Sequence, residues 1–238
     1  MWVSMQKVFT FAKNSNMEIR ENIINFLSKI PGNVQLVAVS KTKPAEAVTE
    51  AYDAGQRVFG ENKVQDLATK AEQLPHDINW HFIGHMQTNK VKYIAPFVKM
   101  IHAVDSIKLL KEINKQALKN SRIIDCLLQF HIAEEDTKFG LSLSESLEIL
   151  SNSELLNMNN IRITGVMGMA TYTDDLQQIR KEFKHLSEYM SILKTTYFKD
   201  KPYFKEISMG MSGDYKIAIE EGSTMIRIGT KIFGTRNY

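Results

Sequence analysis

The chain has 238 residues, of which 43% are hydrophobic and 24% charged, and its 30 basic and 27 acidic side chains give a net charge of +3. This composition is typical of a folded globular protein; it excludes collagen, coiled coil and disorder, and the positive excess is too small for a nucleic-acid-binding surface. No run approaches the roughly 20 apolar residues that span a bilayer, and no signal-like segment opens the chain, so we expect a cytoplasmic protein with no membrane partner. The single cysteine, Cys126, lies in an apolar run and is predicted to be a buried side chain.

Eight short apolar, β-branched runs follow one another along the chain and predict eight strands. They are residues 34–40, 57–62, 80–84, 100–106, 125–132, 162–169, 206–211 and 225–233. Most segments between them have helical periodicity, and strands that alternate with helices form a parallel sheet. Helix-end signals agree, since Pro44 and Gly55 flank the first of these helices and Ser142 and Glu145 have the spacing of a capping box.

Eight regular units in a chain close to the roughly 250 residues of a typical barrel favour a closed (β/α)₈ TIM barrel over a doubly wound open sheet. Residues 234–238, which follow the last predicted strand, are too few for an outer helix, whereas residues 4–30 have a helical pattern. We therefore expect one domain over residues 1–238. Its N-terminal helical segment, residues 1–33, should pack on the barrel and take the place of the eighth outer helix. No large exposed apolar stripe is evident, so we expect a monomer.

Polar residues and glycines cluster where the predicted strands end, which is the end of a barrel that holds reactive groups. Lys41 follows the first strand and shares a face with Val37 and Val39. A partly desolvated lysine at a barrel mouth can act as an amine nucleophile and form a Schiff base with a carbonyl compound. A solvated lysine at the end of a strand is the commoner case, so position alone favours a solvated Lys41 over a reactive one.

The segment after the seventh strand has the features of an anion site. Residues 210–219, GMSGDYKIAI, leave the strand through two glycines and enter a predicted helix with Ser212 near its start. Backbone N–H groups, a hydroxyl and the positive end of a helix dipole bind anions, and phosphate sites of barrels often follow strands seven and eight. Gly229 and Thr230 of the last run would lie beside this segment. Ser212 could instead only cap the helix.

Arg227 is expected to point into the barrel, because isoleucines flank it on the opposite face of its strand. A buried guanidinium requires a partner. A bound ligand and a structural ion pair with Glu61 or Glu206 are both open at this point.

No metal site is expected. His81 and His85 lie four residues apart on one strand, which separates them by about 13 Å, too far to share an ion. The methionines of the sixth and seventh strands are predicted to fill the core; they are Met167, Met169, Met209 and Met211.

Five ordered blocks of the chain resemble the YggS/PROSC family of pyridoxal phosphate homeostasis proteins. They are residues 39–44 (VSKTKP), 59–62 (FGEN), 81–85 (HFIGH), 208–214 (SMGMSGD) and 222–234 (GSTMIRIGTKIFG). The resemblance runs from about residue 34 to the end of the chain. It implies a barrel similar to the N-terminal domain of alanine racemase, which is fold type III among proteins that use pyridoxal 5′-phosphate (PLP).

The resemblance also implies the residues that bind PLP: Lys41 as a Schiff base, Ser212, Gly229 and Thr230 at the phosphate, Arg227 at the pyridine nitrogen, and Asn62 near the ring. A permanently charged guanidinium disfavours protonation of the ring nitrogen and weakens carbanion stabilisation. Alanine racemase also needs a second domain and a partner's tyrosine, and this chain stops after the barrel. The implied function is therefore PLP binding, buffering and delivery in vitamin B6 homeostasis, with PLP-dependent apo-enzymes as recipients and no catalytic residues.

Two other functions stay open from the residues alone. A PLP-dependent amino-acid racemase or lyase of low activity would use acid/base groups such as Tyr172, Tyr215 or His85. A phosphate-sugar barrel enzyme without PLP would need a carboxylate base at the barrel mouth, for which Glu61 and Asp105 are candidates.

Overall fold

The computed structural model describes residues 18–134 and 139–235. Eight strands form a closed barrel in which each strand pairs in parallel with the next one along the chain, and β8 pairs with β1. The strands are β1 (Gln35–Val39), β2 (Val58–Glu61), β3 (Asn79–Phe82), β4 (Met100–Val104), β5 (Ile124–Gln129), β6 (Ile161–Met167), β7 (Glu206–Ser208) and β8 (Met225–Ile228). The predicted barrel and its eight strands are confirmed.

Helices cover the outside of the barrel. They are α1 (residues 18–27), α2 (Ala45–Asp53), α3 (Val64–Gln73), α4 (Val91–Ile94), α5 (Ile107–Lys119), α6 (Leu143–Ser151), α7 (Leu176–Thr196), α8 (Tyr215–Glu220) and α9 (Thr230–Phe233), with 3₁₀ turns at Thr88–Lys90 and Ser153–Asn157. Pro44 is the residue before α2, Gly55 follows this helix with φ +98°, and Ser142 and Glu145 form the predicted capping box of α6. Among the described helices, none combines the length and the apolar character that a membrane span requires.

The strand side chains divide between two layers, because successive residues of a strand face opposite sides of the sheet. In β8, Ile226 and Ile228 join the large apolar layer between strands and helices, whereas Met225 packs inside the barrel. The interior cluster consists of Met100, Ala103, Leu127, Met167 and Met225. Cys126 is fully buried, as predicted.

α1 packs beside α8 and α9. The Phe26 ring lies 4.9 Å from the ring of Tyr215, and the Asn22 side-chain amide donates to the carbonyl of Ile232 at 3.1 Å. The last predicted strand was too long, since β8 ends at Ile228 and the following residues fold into the short helix α9. Residues 1–17 of the predicted N-terminal segment lie outside the described residues.

Candidate functional site

Four neighbouring strands of the ring carry all the residues predicted for the site. Their order around the barrel is β7, β8, β1 and β2. Arg227 lies in β8, and the other predicted residues follow the carboxyl ends of these strands: Ser212 after β7, Gly229 and Thr230 after β8, Lys41 after β1 and Asn62 after β2. The structure therefore gathers the predicted residues into one sector of the barrel mouth.

Lys41 is held by a tight turn directly after β1. The Ser40 N–H donates to the carbonyl of Gly60 on β2 at 3.0 Å, and the Lys43 N–H donates back to the carbonyl of Ser40 at 3.0 Å. Thr42 has φ +65°, in the left-handed region that non-glycine residues rarely adopt. Lys41 itself is half-buried, and the alternation of β1 places it on the inward face.

A buried polar cluster supports this turn from the outer side. The Ser40 hydroxyl donates to Oε1 of Glu61 at 2.7 Å, and Lys70 of α3 donates to the same oxygen at 2.5 Å and to the Ser40 carbonyl at 2.8 Å. Glu61 is fully buried, and its Oε2 has no hydrogen-bond partner among the described residues. Glu61 thus faces α3 and does not face the barrel interior. The considered roles of Glu61 as a base at the mouth and as the partner of Arg227 are both wrong.

Asn62 lies beside Lys41 at the end of β2. Val39 of β1 pairs with Gly60 of β2. Two residues further along both segments, the same register places Asn62 next to Lys41. The Asn62 side chain is exposed and makes no hydrogen bond within the described part of the chain. A Cβ at Gly84 would lie 2.3 Å from the Asn62 carbonyl oxygen, so only glycine allows the loop after β3 to approach this closely.

The turn after β7 leaves the Ser212 hydroxyl available. Gly210 has φ +93°, and a Cβ there would lie 2.6 Å from that of Ala218. The residue at the start of α8 is Asp214, whose carboxylate accepts from the Met211 N–H at 2.5 Å. Ser212 is half-buried, and its hydroxyl makes no hydrogen bond to any described residue, so it is not the helix cap considered above. Met211 is 37% exposed, so its predicted place in the core is wrong.

The turn after β8 adjoins β1. A Cβ at Gly229 would lie 3.3 Å from the Val39 carbonyl oxygen, which shows how closely the two backbones approach. Thr230 begins α9 and is exposed, and its hydroxyl also makes no hydrogen bond within residues 18–134 and 139–235. The two turns after β7 and β8 therefore present hydroxyls and glycine backbone beside the lysine turn.

Arg227 points into the barrel and is only 4% exposed. Its Nη1 donates to the Ser208 carbonyl at 2.7 Å and to the Ser208 hydroxyl at 2.6 Å, and Nη2 donates to the Gly168 carbonyl at 3.0 Å. Burial lowers the pKa of Arg227 to about 10, while the Asp214 carboxylate opposes this shift. The considered ion pair with Glu206 is also wrong, because no described carboxylate forms a salt bridge with Arg227.

The bonds of Arg227 leave hydrogen-bond donors for a ligand. Both hydrogens of Nη1 and one of Nη2 are used, so the Nε–H and the second Nη2 hydrogen have no acceptor among the described residues. A buried cation without a carboxylate partner is costly, and its remaining donors favour an acceptor supplied by a ligand.

Two buried histidines are linked to Arg227 through the Ser208 hydroxyl. Nδ1 of His81 lies 2.9 Å from Nε2 of His102, and Nδ1 of His102 lies 3.0 Å from the Ser208 hydroxyl. Burial lowers the pKa of His81 to about 3, with a contribution from the Lys99 cation. Burial, then His81 and Arg227, lower the pKa of His102 well below its usual range.

The sequence pattern did not predict His102, Ser208 or Gly168 as partners of Arg227. The one available signal was the alternation of β4, which places His102 on the same side of the strand as the interior residue Met100. The contacts that join these residues cross the barrel between segments that are distant in the sequence, and no local sequence pattern predicts such contacts.

The other candidates lie elsewhere. Tyr172 is 97% exposed, and Tyr215 is buried against α1 in the outer layer. Nδ1 of His85 lies 3.5 Å from Oδ2 of Asp105, and its ring stacks on Phe139 at 4.3 Å, so this pair lies where β3 and β4 end. Within the described ranges no group of three or more His, Cys, Asp or Glu side chains could hold a metal ion.

The fold and this sector define a class of protein: a parallel barrel of the alanine racemase type, with a lysine after β1 and an open polar turn after β7. The family model described as the N-terminal domain of alanine racemase matches residues 16–237. The alanine racemase of E. faecalis has the same fold, with a TM-score of 0.72 at 14% identity, over 93% of this chain and 58% of that one.

Within this class, the chain belongs to the family of pyridoxal phosphate homeostasis proteins. The member from Aquifex aeolicus is 40% identical over 205 residues, which are 86% of this chain and 88% of the relative. The structure of PipY from Synechococcus elongatus PCC7942, solved with PLP bound, has a TM-score of 0.83 at 33% identity and covers 91% of this chain and 100% of its own. These similarities confirm the resemblance that the sequence motifs indicate.

Proposed function

We propose that this chain binds PLP in the sector formed by β7, β8, β1 and β2 and serves PLP homeostasis by holding and delivering the cofactor. The observation that carries the proposal is the buried Arg227, which has two N–H donors without an acceptor among the described residues and shares the inward face of neighbouring strands with Lys41. The PLP bound to PipY and the names of the curated relatives support the choice of ligand.

The residues present fit the three functional groups of PLP. The Lys41 amine would condense with the aldehyde, forming a C=N bond and releasing water. The free N–H donors of Arg227 would face the ring nitrogen, with Asn62 beside the ring. The phosphate would accept hydrogen bonds from the Ser212 hydroxyl and from the turn at Gly229 and Thr230.

We infer that the site binds without turnover. Bound PLP supplies an electron-accepting ring, and this capacity is strongest when the ring nitrogen is protonated. A charged guanidinium beside that nitrogen disfavours its protonation. Tyr215, a considered acid/base group, is buried in the outer layer next to Phe26.

The second candidate is a weak PLP-dependent racemase or lyase. It is favoured by His85, which lies beside Asp105 at the same end of the barrel. Incubation of the PLP-loaded protein with amino acids in deuterated water separates the two functions. The binding function predicts no catalytic incorporation of deuterium at Cα, whereas label that accumulates over many turnovers supports the enzyme.

PLP titration tests the proposal. The wild-type protein should develop the visible absorbance of a Schiff base, and Lys41→Ala should abolish it. Lys43→Ala is the matched control, because the Lys43 amine donates to the Thr235 carbonyl at 2.9 Å. Ser212→Ala should weaken PLP binding by about 1 kcal/mol, or roughly fivefold, the usual effect of one hydrogen bond. A wild-type protein that shows no Schiff-base absorbance after incubation with PLP and removal of the unbound PLP would refute the proposal.

We further propose that residues 1–238 form a single domain, that the protein is a monomer, and that its partners are PLP-dependent apo-enzymes. A cytoplasmic location also stays a prediction from the sequence. Size-exclusion chromatography with light scattering tests the monomer, and transfer of PLP to an apo-enzyme, followed by recovery of that enzyme's activity, tests delivery.

A further inference from the structure

A continuous chain of buried polar groups crosses the barrel interior and ends at Arg227. His81 of β3, His102 of β4, Ser208 of β7 and Arg227 of β8 are each at most 4% exposed. The distances that join them are 2.9 Å between the histidine rings, 3.0 Å from His102 to the Ser208 hydroxyl, and 2.6 Å from that hydroxyl to Arg227. Because β4 and β7 are not neighbours in the ring, the bond between His102 and Ser208 spans the interior.

Arg227 and the burial of Ser208 together set the direction of the hydrogen bonds that join these four residues. A guanidinium only donates, so the Ser208 oxygen accepts from Nη1. Ser208 is fully buried, and Nδ1 of His102 is the one acceptor that the described residues offer to its hydroxyl hydrogen, so this hydrogen donates to Nδ1; a proton on Nδ1 would leave the hydroxyl hydrogen without an acceptor. His102 must carry its proton on Nε2, which donates to Nδ1 of His81. Both rings are therefore neutral and protonated on Nε2.

The surroundings hold the rings in this form. A second proton on His102 would sit on Nδ1, where it would face the Ser208 hydrogen and add a positive charge beside Arg227. Burial opposes that charge as well, which agrees with the lowered pKa of both histidines. Arg227 is thus the single charged group among these four hydrogen-bonded residues, and the hydrogen bonds between them polarise one another in one direction.

We propose that His102 and Ser208 are positioning residues, which fix the guanidinium of Arg227 so that its remaining N–H donors meet the ring nitrogen of PLP. This inference rests on the proposed function. The Ser208 hydroxyl, turned toward His102, accepts from Nη1, and together with the Ser208 and Gly168 carbonyls it fixes the plane of the guanidinium. Without His102, the Ser208 hydrogen has no imidazole acceptor, and this restraint on Arg227 is lost.

Nitrogen NMR of the PLP-free protein tests the direction of the chain independently of PLP. With ¹⁵N-labelled histidine, long-range proton correlations should show His81 and His102 as neutral rings protonated on Nε2. In Ser208→Ala the Nδ1 resonance of His102 should shift, since it loses its donor. A wild-type His102 that carries its proton on Nδ1, or that is doubly protonated at neutral pH, would overturn the inference.

The role toward PLP is tested with a ligand that lacks the ring nitrogen. The binding of PLP and of 1-deazapyridoxal 5′-phosphate, in which a C–H group replaces this nitrogen, is compared in the wild type, His102→Met and His102→Gln. We expect His102→Met to weaken PLP by about tenfold, the effect of one bond to a charged donor, and to leave the deaza analogue unchanged. His102→Gln keeps an acceptor oxygen and should restore part of the PLP affinity.

The outcomes separate this inference from the proposed function. Equal weakening of PLP and the analogue in a folded His102→Met protein means that the histidine only supports the barrel, which overturns the positioning role and leaves PLP binding intact. A wild type that binds neither ligand refutes the proposed function and the positioning role together, although the NMR result on the direction of the chain still holds.

Discussion

Acid should destabilise this protein through its two buried histidines, His81 and His102. In the unfolded chain, each histidine takes up a proton below a pKa of about 6.5. In the folded protein the pKa of His81 is about 3, and that of His102 is also far below its ordinary value. The unfolded state therefore binds more protons as the pH falls, and the free energy of unfolding decreases.

The size of the effect follows from this difference in proton binding. Well above pH 6.5 the two histidines contribute no pH dependence, because both states leave them neutral. Below it the loss for each approaches about 1.4 kcal/mol per pH unit, and integration from pH 6.5, where the unfolded histidine is half protonated, to pH 5 gives about 1.7 kcal/mol for each and about 3 kcal/mol for the pair. For His81 the loss should continue down to its folded pKa, near 3.

Urea unfolding at these two pH values, followed by circular dichroism, measures the effect. His102→Met should lose about 2 kcal/mol less than the wild type over this interval, since one of the two buried rings is gone. His76→Asn is the control, because this exposed side chain is solvated in both states, and its slope should match that of the wild type. Equal losses in the wild type and His102→Met would refute the assignment of His102 as a buried neutral ring.

Three further changes test the supports of the site. Lys70→Met leaves the buried Glu61 carboxylate without its cation and should lower the free energy of unfolding, measured in urea, by about 3–5 kcal/mol. Lys111→Ala removes an exposed ion pair and should lower it by less than about 1 kcal/mol. Similar losses in the two variants would contradict the buried ion pair between Lys70 and Glu61. Gly84→Ala places a methyl group against backbone and should lower stability by about 1–3 kcal/mol with weaker PLP binding, so an unchanged melting temperature would contradict that contact. Glu182→Ala removes the buried carboxylate that accepts hydrogen bonds from the loops after β5 and β6, and hydrogen exchange of both loops should speed up; unchanged exchange would show that the carboxylate does not hold them.

Local patterns were sufficient to predict the architecture. Apolar runs at a regular spacing indicated the eight strands, and alternation placed Lys41 and Arg227 on inward faces. The capping box at Ser142 and the glycine after α2 marked helix ends correctly. These features depend on neighbours in the chain, so the sequence displays them directly.

Features that depend on contacts between distant segments were not predicted. The carboxylates considered for Arg227 were reasonable by charge, but Glu61 is bound by Lys70 in the outer layer, and the actual partners of Arg227 are a hydroxyl and two backbone carbonyls. Backbone acceptors have no signature in the amino-acid sequence. The helical turn of α9 was also missed, because its apolar residues continue the pattern of β8.

Borohydride reduction of the PLP-loaded protein, followed by peptide mass spectrometry, shows whether Lys41 is the residue that bonds to PLP. Reduction converts a lysine–PLP Schiff base into a stable secondary amine, so the modified residue is identified by its mass. We expect a single major adduct on Lys41, which disappears in Lys41→Ala and persists in Lys43→Ala. An adduct whose main site is another lysine, or a protein that binds PLP with no covalent adduct, would contradict this expectation.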